Sequence, residues 1–328
     1  MIDILALPFM QRALLAALIS GLIAPAIGTF IVQRRMSLLG DGLGHVAIAG
    51  VGLALMTGWA PLPLALVTSV VGAVTVELLR QRGKASGDLG LAILFYGGLA
   101  SGVLMAGVAG QGAAGLSSFL FGSLTSVSPT DVLVISVLAV IILGLTIGLA
   151  PRLFAVSVDE DYSRVLGIKV NLLNLMVVVL AAVTVTISMR TVGLLLISAL
   201  MVIPVATAQQ SFVGFTSSFF GAMGIGAVAA VGGTVGSFYL DTATGATIVV
   251  TAIALLALSW VFGKWLRRTE RFIPYVEDHG GYPHRPAESH DDEFAHSAGV
   301  KVIQHGDHLD YVHDGHRHAR HGDHYDEH

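Results

Sequence analysis

Apolar residues in this chain come in long blocks that end at short polar punctuation. Nine blocks have the length and apolarity of bilayer-crossing helices, at roughly residues 10–32, 43–58, 62–79, 89–110, 129–150, 172–189, 192–212, 214–238 and 244–263. Only Trp59-Ala60-Pro61-Leu62-Pro63 separates the second block from the third, so counts from eight to ten fit the pattern. The stretch 116–127 is too short to cross and fits a re-entrant segment. The predicted fold class is all-α: a polytopic transmembrane helical bundle of about nine spans.

Charge assigns the sides. Arg34 and Arg35, then Arg80, Arg82 and Lys84, then Arg152, Arg164 and Lys169, and finally Lys264, Arg267, Arg268 and Arg271 fall at alternate ends of successive spans. All of them share one side if the N-terminus is outside, and only Arg12 and Arg190 fall toward the other. The positive-inside rule makes the basic side cytoplasmic and, with an odd span count, places the C-terminal tail there too. Composition agrees with a membrane protein. The chain is 54% hydrophobic and 12% charged, with mean hydropathy +0.77, whereas soluble domains carry roughly 25% charged residues. It has no cysteine, which excludes disulfides and thiolate metal sites. Residues 1–8 hold no basic residue and no cleavage site precedes the first block, so no cleavable signal is expected.

Glycine and proline carry the packing signals. Gly221, Gly224, Gly226, Gly232, Gly233 and Gly236 lie in one predicted span, where small residues let helix backbones approach closely. Pro25 and Pro204 sit inside spans and should kink them, whereas Pro151 ends a span. The one sizeable loop inside the body runs over 151–171. Ser157 or Asp159 can cap a short helix there, with acids in its first turn and Gly167 as its stop. Val158, Tyr162, Val165 and Leu166 then share a face that can rest on lipid, dock a partner, or simply connect two spans.

The candidate chemistry is histidine and carboxylate. Twelve of the thirteen histidines follow residue 278, and His45 alone lies in the apolar body. Asp41 and His45 are four apart, which stacks them on one helix face. A carboxylate and an imidazole suit zinc, manganese or iron. The alternative is structural, with Asp41 capping the helix and His45 making a single hydrogen bond. Glu77 reads as a helix-end partner of Arg80, and Asp241 as an external turn and N-cap or an entrance ligand. Residues 1–274 hold 14 Lys/Arg against 10 Asp/Glu, and residues 275–328 hold 4 against 12, so the tail is a separate acidic module. The domain division is a permease body at 1–271 and a tail at 272–328. The tail has few apolar residues, scattered without evident period, and is expected to lack regular structure. His305-Gly306-Asp307-His308-Leu309-Asp310 recurs as His321-Gly322-Asp323-His324-Tyr325-Asp326, with His313, His316 and His318 between the copies and His328 at the end. These eight histidines are expected to bind transition metal, zinc in particular, at weak multiple sites.

Four ordered motifs resemble the membrane subunits of zinc/manganese-type ABC importers, and the zinc-uptake permeases in particular. They are Met36-Ser37-Leu38-Leu39-Gly40-Asp41 with His45; Phe119-Leu120-Phe121-Gly122-Ser123-Leu124 followed by Ser128-Pro129-Thr130-Asp131; Val192-Gly193-Leu194 through Ser198 to Pro204-Val205-Ala206-Thr207-Ala208; and Asp241-Thr242 with Gly245. Gly44 departs from the family's usual Ala or Ser, and the His-rich tail belongs only to some members. The resemblance implies a type II importer fold, a permease homodimer and a cytoplasmic ABC ATPase subunit on each copy. It also implies an extracytoplasmic metal-binding protein as donor, membrane lipid as surroundings and no role for nucleic acid. The chain has no Gly-x-x-x-x-Gly-Lys-Ser/Thr phosphate loop, so it is expected to be a transport subunit rather than an enzyme, with no tightly bound cofactor. Asp41 and His45 become expected ligands on the ion path, and Asp159, Tyr162, Leu166 and Gly167 part of an expected ATPase-coupling helix. The rival classes are a gradient-driven metal transporter, a membrane-tethered metal sensor, and an importer of chelated metal or corrinoid.

Overall fold

The computed structural model describes residues 7–82, 90, 92–266 and the strand residues 301–305, 308–313, 316–321 and 324–327. The chain divides into two compact units, Met1–Thr269 and Glu270–His328.

All the regular secondary structure among the described residues of the first unit is helical. Its elements are α1 (Pro8–Gln33), α2 (Leu39–Thr57), α3 (Pro61–Gln81), a π turn (Ile93–Gly97) running into α4 (Gly98–Val108), a 3-10 turn (Ala113–Leu116) running into α5 (Ser117–Phe121), α6 (Pro129–Gly148), α7 (Ala150–Val158), α8 (Glu160–Val165), α9 (Val170–Ser188), α10 (Ile197–Ser211), α11 (Phe215–Leu240) and α12 (Thr244–Leu266). Seven of these are long and apolar enough to cross a membrane: α1, α2, α3, α6, α9, α11 and α12. All nine sequence blocks have a helical counterpart. The two that fall short are residues 93–108 and α10, whose 15 residues reach only about 22 Å. Leu116–Val127 holds only the end of the 3-10 turn and the five residues of α5, and its backbone bonds to the segment that precedes α10.

Proline supplies several starts. Pro8, Pro61, Pro129 and Pro151 each lie at the first or second helical position, where a missing N–H costs nothing. Ser128 and Asp131 close a reciprocal capping box at the start of α6. Two groups of helices form the body. In one, α2 packs on α3 and α4, and α3 on α9; in the other, α1 packs on α10 and α11, and α10 and α11 on α12. α1 and α2 each touch α9 and α10 and join the groups.

Close approach at glycine explains the tightest contacts. A Cβ on Gly28 would overlap the Met201 carbonyl oxygen, one on Gly226 the Gly21 carbonyl, and one on Gly233 the Ile248 backbone. Pro25 removes the helical donor to that Gly21 carbonyl, and the bare Gly226 lets α11 close over the gap. Gly224 faces open space and Gly232 meets only Thr251, so not every glycine of α11 is a packing residue.

The tail strands are β1 (Lys301–His305), β2 (His308–His313), β3 (His316–His321) and β4 (His324–Glu327), paired as an antiparallel meander in chain order. The sequence reading places no regular structure here, and the difference has a local cause. Gly306-Asp307, Asp314-Gly315 and Gly322-Asp323 are two-residue hairpin dipeptides. Val302, Leu309, Tyr311 and Tyr325 fall on one face in the observed register, a period of two that the surrounding histidines obscure. Residues 272–300 and His328 lie outside the described residues.

The glycine contacts make a test. Gly28→Val should lower the thermal midpoint of the purified protein by several degrees, since forcing methyl groups into a packed contact costs about 1–3 kcal/mol. Gly144→Val, which would meet nothing within 4 Å, should leave it within error.

Candidate metal path and docking helix

α2 opens after a tight turn. Arg35 takes a left-handed φ of 58° and Met36 N–H donates to the Ile31 carbonyl. Asp41 lies in the first turn of α2, where the helix N-terminus favours an anion. His45 follows one turn later and is 6% exposed. Depth follows from packing. A Cβ on Gly98 would strike the His45 backbone, and one on Gly72 would press on Val46. Gly72 is near the midpoint of the 21-residue α3, so His45, in the second turn of α2, lies beside the middle of α3.

Asp41 caps no helix. Its Oδ1 accepts a short hydrogen bond from Ser198 Oγ, in the first turn of α10. Bare backbone makes this contact possible: a Cβ on Gly40 would stand 3.2 Å from the Ser198 Cβ, and one on Gly44 would stand 2.9 Å from the Leu194 carbonyl oxygen. The imidazole of His45 meets the Phe95 ring edge-on at 4.0 Å between centroids, and its Nδ1 is buried without a hydrogen-bond partner. The purely structural reading of the pair, a cap and a hydrogen-bonded histidine, therefore fits neither residue. Among the residues whose side chains are described, no group of three His, Cys, Asp or Glu converges on one point.

Ser198 was not singled out by sequence as a site residue. It stands at the start of α10, which begins deep because the chain before it is not helical. Leu194 N–H and Leu195 N–H donate to the Phe119 and Leu120 carbonyls, and Ser123 N–H donates to the Arg190 carbonyl. Gly122 and Gly193 take φ of 74° and 88°, as only glycine does readily. A Cβ on Gly245 would overlap the Val192 carbonyl oxygen and come within 2.9 Å of that of Phe121. Three of the four sequence motifs thus meet at one knot of backbone, and the fourth leans on it through Asp41 and Ser198.

Arg190 locks the knot. Its Nη1 donates to the Ser126 carbonyl and to Asp131 Oδ2, both at 2.9 Å, and its guanidinium lies 6.0 Å from the centre of the Phe119 ring. Asp241, expected in a turn as an N-cap, does lie in a turn, but as the exposed left-handed residue that ends α11, with φ 50°, rather than as an N-cap. Glu77 is held as expected, accepting from Arg80 Nε and Nη2 and from Gln81 Nε2.

The loop at 151–171 folds as two short helices. Asp159 caps α8 by accepting from Tyr162 N–H at 2.9 Å, and Gly167 ends it with φ 76°. Ser157 does not cap; it accepts from Arg34 Nε instead. Leu153 and Val156 are buried, whereas Val158, Tyr162, Val165 and Leu166 are exposed. Asn174 Nδ2 donates to Glu160 Oε1, which ties α8 to α9. Burial lowers the Arg34 pKa from its ordinary value, opposed by the nearby Glu160 charge.

A helical body with several membrane-length spans, a carboxylate–imidazole pair inside its packing and a short helix with an exposed apolar face fit a multi-spanning membrane permease. A model of the ABC 3 transport family matches residues 6–263, and the chain belongs to that family. It is a transport subunit, not an enzyme. It is 31% identical over 260 residues to the manganese transport system membrane protein MntC of Halalkalibacterium halodurans, covering 79% of this chain and 89% of that one. It is also 31% identical over 248 residues to the high-affinity zinc uptake system membrane protein ZnuB of Haemophilus influenzae, covering 75% and 95%. The solved structure of PsaBC from Streptococcus pneumoniae in complex with Fab superposes with a TM-score of 0.73 at 29% identity, covering 82% of this chain and 98% of that one.

The ion pair predicts a coupling. Arg190→Ala should cost about 2 kcal/mol of stability, as expected for a charged hydrogen-bond partner. In an Asp131→Ala background the same change should cost much less. Chemical denaturation of the four proteins of that cycle measures it.

Proposed function

We propose that this chain is the permease of an ABC importer that carries a divalent transition metal, zinc by preference, into the cytoplasm. The observation that carries this reading is the Asp41–His45 pair: a carboxylate and a buried imidazole with an unpartnered Nδ1, one turn apart in the first two turns of α2. Zinc or manganese leaving an extracytoplasmic binding protein would meet both donors and shed them again toward the cytoplasm. Two protein ligands are too few to hold such an ion permanently, which suits a path that must release what it takes. Two copies of the chain, related as a homodimer, would line the path with two such pairs. A cytoplasmic ABC ATPase would dock on the exposed Tyr162, Val165 and Leu166 of α8, and Asp159 and Gly167 would fix the ends of that helix. The N-terminus lies outside and the tail inside, by the distribution of Lys and Arg.

Zinc is preferred over manganese because of the tail histidines, since imidazole-rich sites favour zinc over harder cations. The manganese and zinc names borne by relatives of equal identity make the metal a matter for experiment. In proteoliposomes holding the permease with its ATPase, zinc uptake should exceed manganese and iron uptake and require ATP. Asp41→Ala and His45→Ala should each lower uptake by more than about tenfold, the scale of lost metal-site interactions, while the ATPase stays bound. Unchanged flux in both variants would reject the path. Ser198→Ala should alter uptake by about tenfold or less without loss of assembly, as expected for a group that orients a ligand.

A further inference from the structure

Arg34 joins two parts of the molecule that lie 123 residues apart in sequence. It caps the C-terminal end of α1, and its Nε donates to Ser157 Oγ at 3.2 Å. Ser157 lies in the last turn of α7, two residues before the Asp159 that caps α8. Leu153 and Val156 of α7 are buried, and the helix packs against α1, α6 and α9. In the other direction Arg34 enters the turn that leads to Asp41. Arg35 N–H donates to the Val32 carbonyl, Met36 N–H to the Ile31 carbonyl, Leu39 N–H to the Met36 carbonyl and Gly42 N–H to the Leu38 carbonyl. The first two close α1 as a Schellman motif does, with Arg35 in the left-handed position that usually takes glycine. Bonded along its length, the turn has little slack. A displacement of Arg34 therefore reaches the first turn of α2, where Asp41 accepts from Ser198.

Stability alone gives no reason for a cation here. The Arg34 guanidinium is half-buried and its Nη2 is buried without a partner. Glu160 and Glu77 are near enough for their charges to act on it. Yet Glu160 accepts from Asn174 Nδ2 and pairs with Arg164 Nη2, and Glu77 accepts from Arg80 and Gln81. A buried cation bonded to a neutral hydroxyl costs more to desolvate than that bond returns, and the end of α1 closes through backbone bonds without any charge. We infer that Arg34 is a positioning residue: through Ser157 it carries movement of the α7–α8 junction to the turn bearing Asp41, so that the docked ATPase acts on the ion ligand. The role rests on the docking and ion path proposed above. A second tie, from Asn174 to Glu160, runs from α8 into α9 and is the competing route.

The chain has no cysteine, so Leu38→Cys places a single thiol on this turn, at an exposed residue just before α2. The measurement is the rate at which that thiol reacts with a water-soluble maleimide, read by mass on the permease in its complex with the ATPase, with and without ATP and vanadate. The nucleotide should change the rate by about fivefold or more, the low end of coupling between linked sites. Arg34→Ala and Ser157→Ala should each remove most of that change while the ATPase stays attached and hydrolyses ATP, and metal moved per ATP hydrolysed should fall in both. Ser157→Ala deletes only a hydroxyl from a helix, so it decides the matter where Arg34→Ala fails to fold. Arg152→Ala, at an exposed position of the same helix, should keep the full change. A change of rate that survives in Ser157→Ala, or that only Asn174→Ala abolishes, would overturn the inference and leave the transport reading standing. A parent chain whose thiol ignores the nucleotide while ATP-driven uptake proceeds would overturn it in the same way. A parent chain that binds no ATPase would overturn the docking reading and this role with it.

Discussion

Backbone polarity in a hydrocarbon medium is the constraint on which this structure rests. A span that stops being helical at mid-depth leaves N–H and C=O groups that lipid cannot satisfy. The chain breaks helix twice, around Phe121–Leu124 and around Arg190–Leu196, and the broken ends bond to each other. Glycine at 122, 193 and 245 admits three backbones to the same small volume. Arg190 then ties the bundle of loose ends to the start of α6 through Asp131. The short α10 is a consequence of this knot, and its late start at Ile197 puts Ser198 in the first turn, beside Asp41.

Much of the fold was legible from hydropathy alone. All nine blocks became helices, because an apolar run of that length has few other stable forms in a membrane. That the stretch 116–127 is too short for a span was legible from its length. The two short crossings were not, since hydropathy records how apolar Val192–Leu196 is and says nothing of whether its hydrogen bonds are local. Spacing alone placed Asp41 and His45 on one face, but the partner of Asp41 lies 157 residues away, beyond the reach of any helical period. Ser198 looked like one more small residue in an apolar run. Asp241 failed as a cap because the left-handed bend that ends α11 falls on that residue itself. In the tail, the alternation of Leu309, Tyr311 and Tyr325 was hidden by histidine, a residue with no fixed place on a hydropathy scale.

The body and the tail treat the same kinds of donor in opposite ways. In the body, one carboxylate and one imidazole sit among Phe95, Ser198 and packed glycines, with few groups to satisfy an ion that lingers. In the tail, donors recur at short intervals on a scaffold of backbone ladders. Sparse ligands favour passage and crowded ligands favour retention. On the function proposed above, a chain that holds both would separate movement of an ion from its capture.

The projecting α8 has a consequence for the life of the protein before assembly. Its Tyr162, Val165 and Leu166 stand uncovered, and exposed apolar clusters of this kind drive non-specific association. A copy made without its ATPase would carry a sticky handle into the aqueous phase, open to chaperones and proteases. On the docking proposed above, the surface that would take the ATPase would also tie the lifetime of each copy to the supply of that subunit.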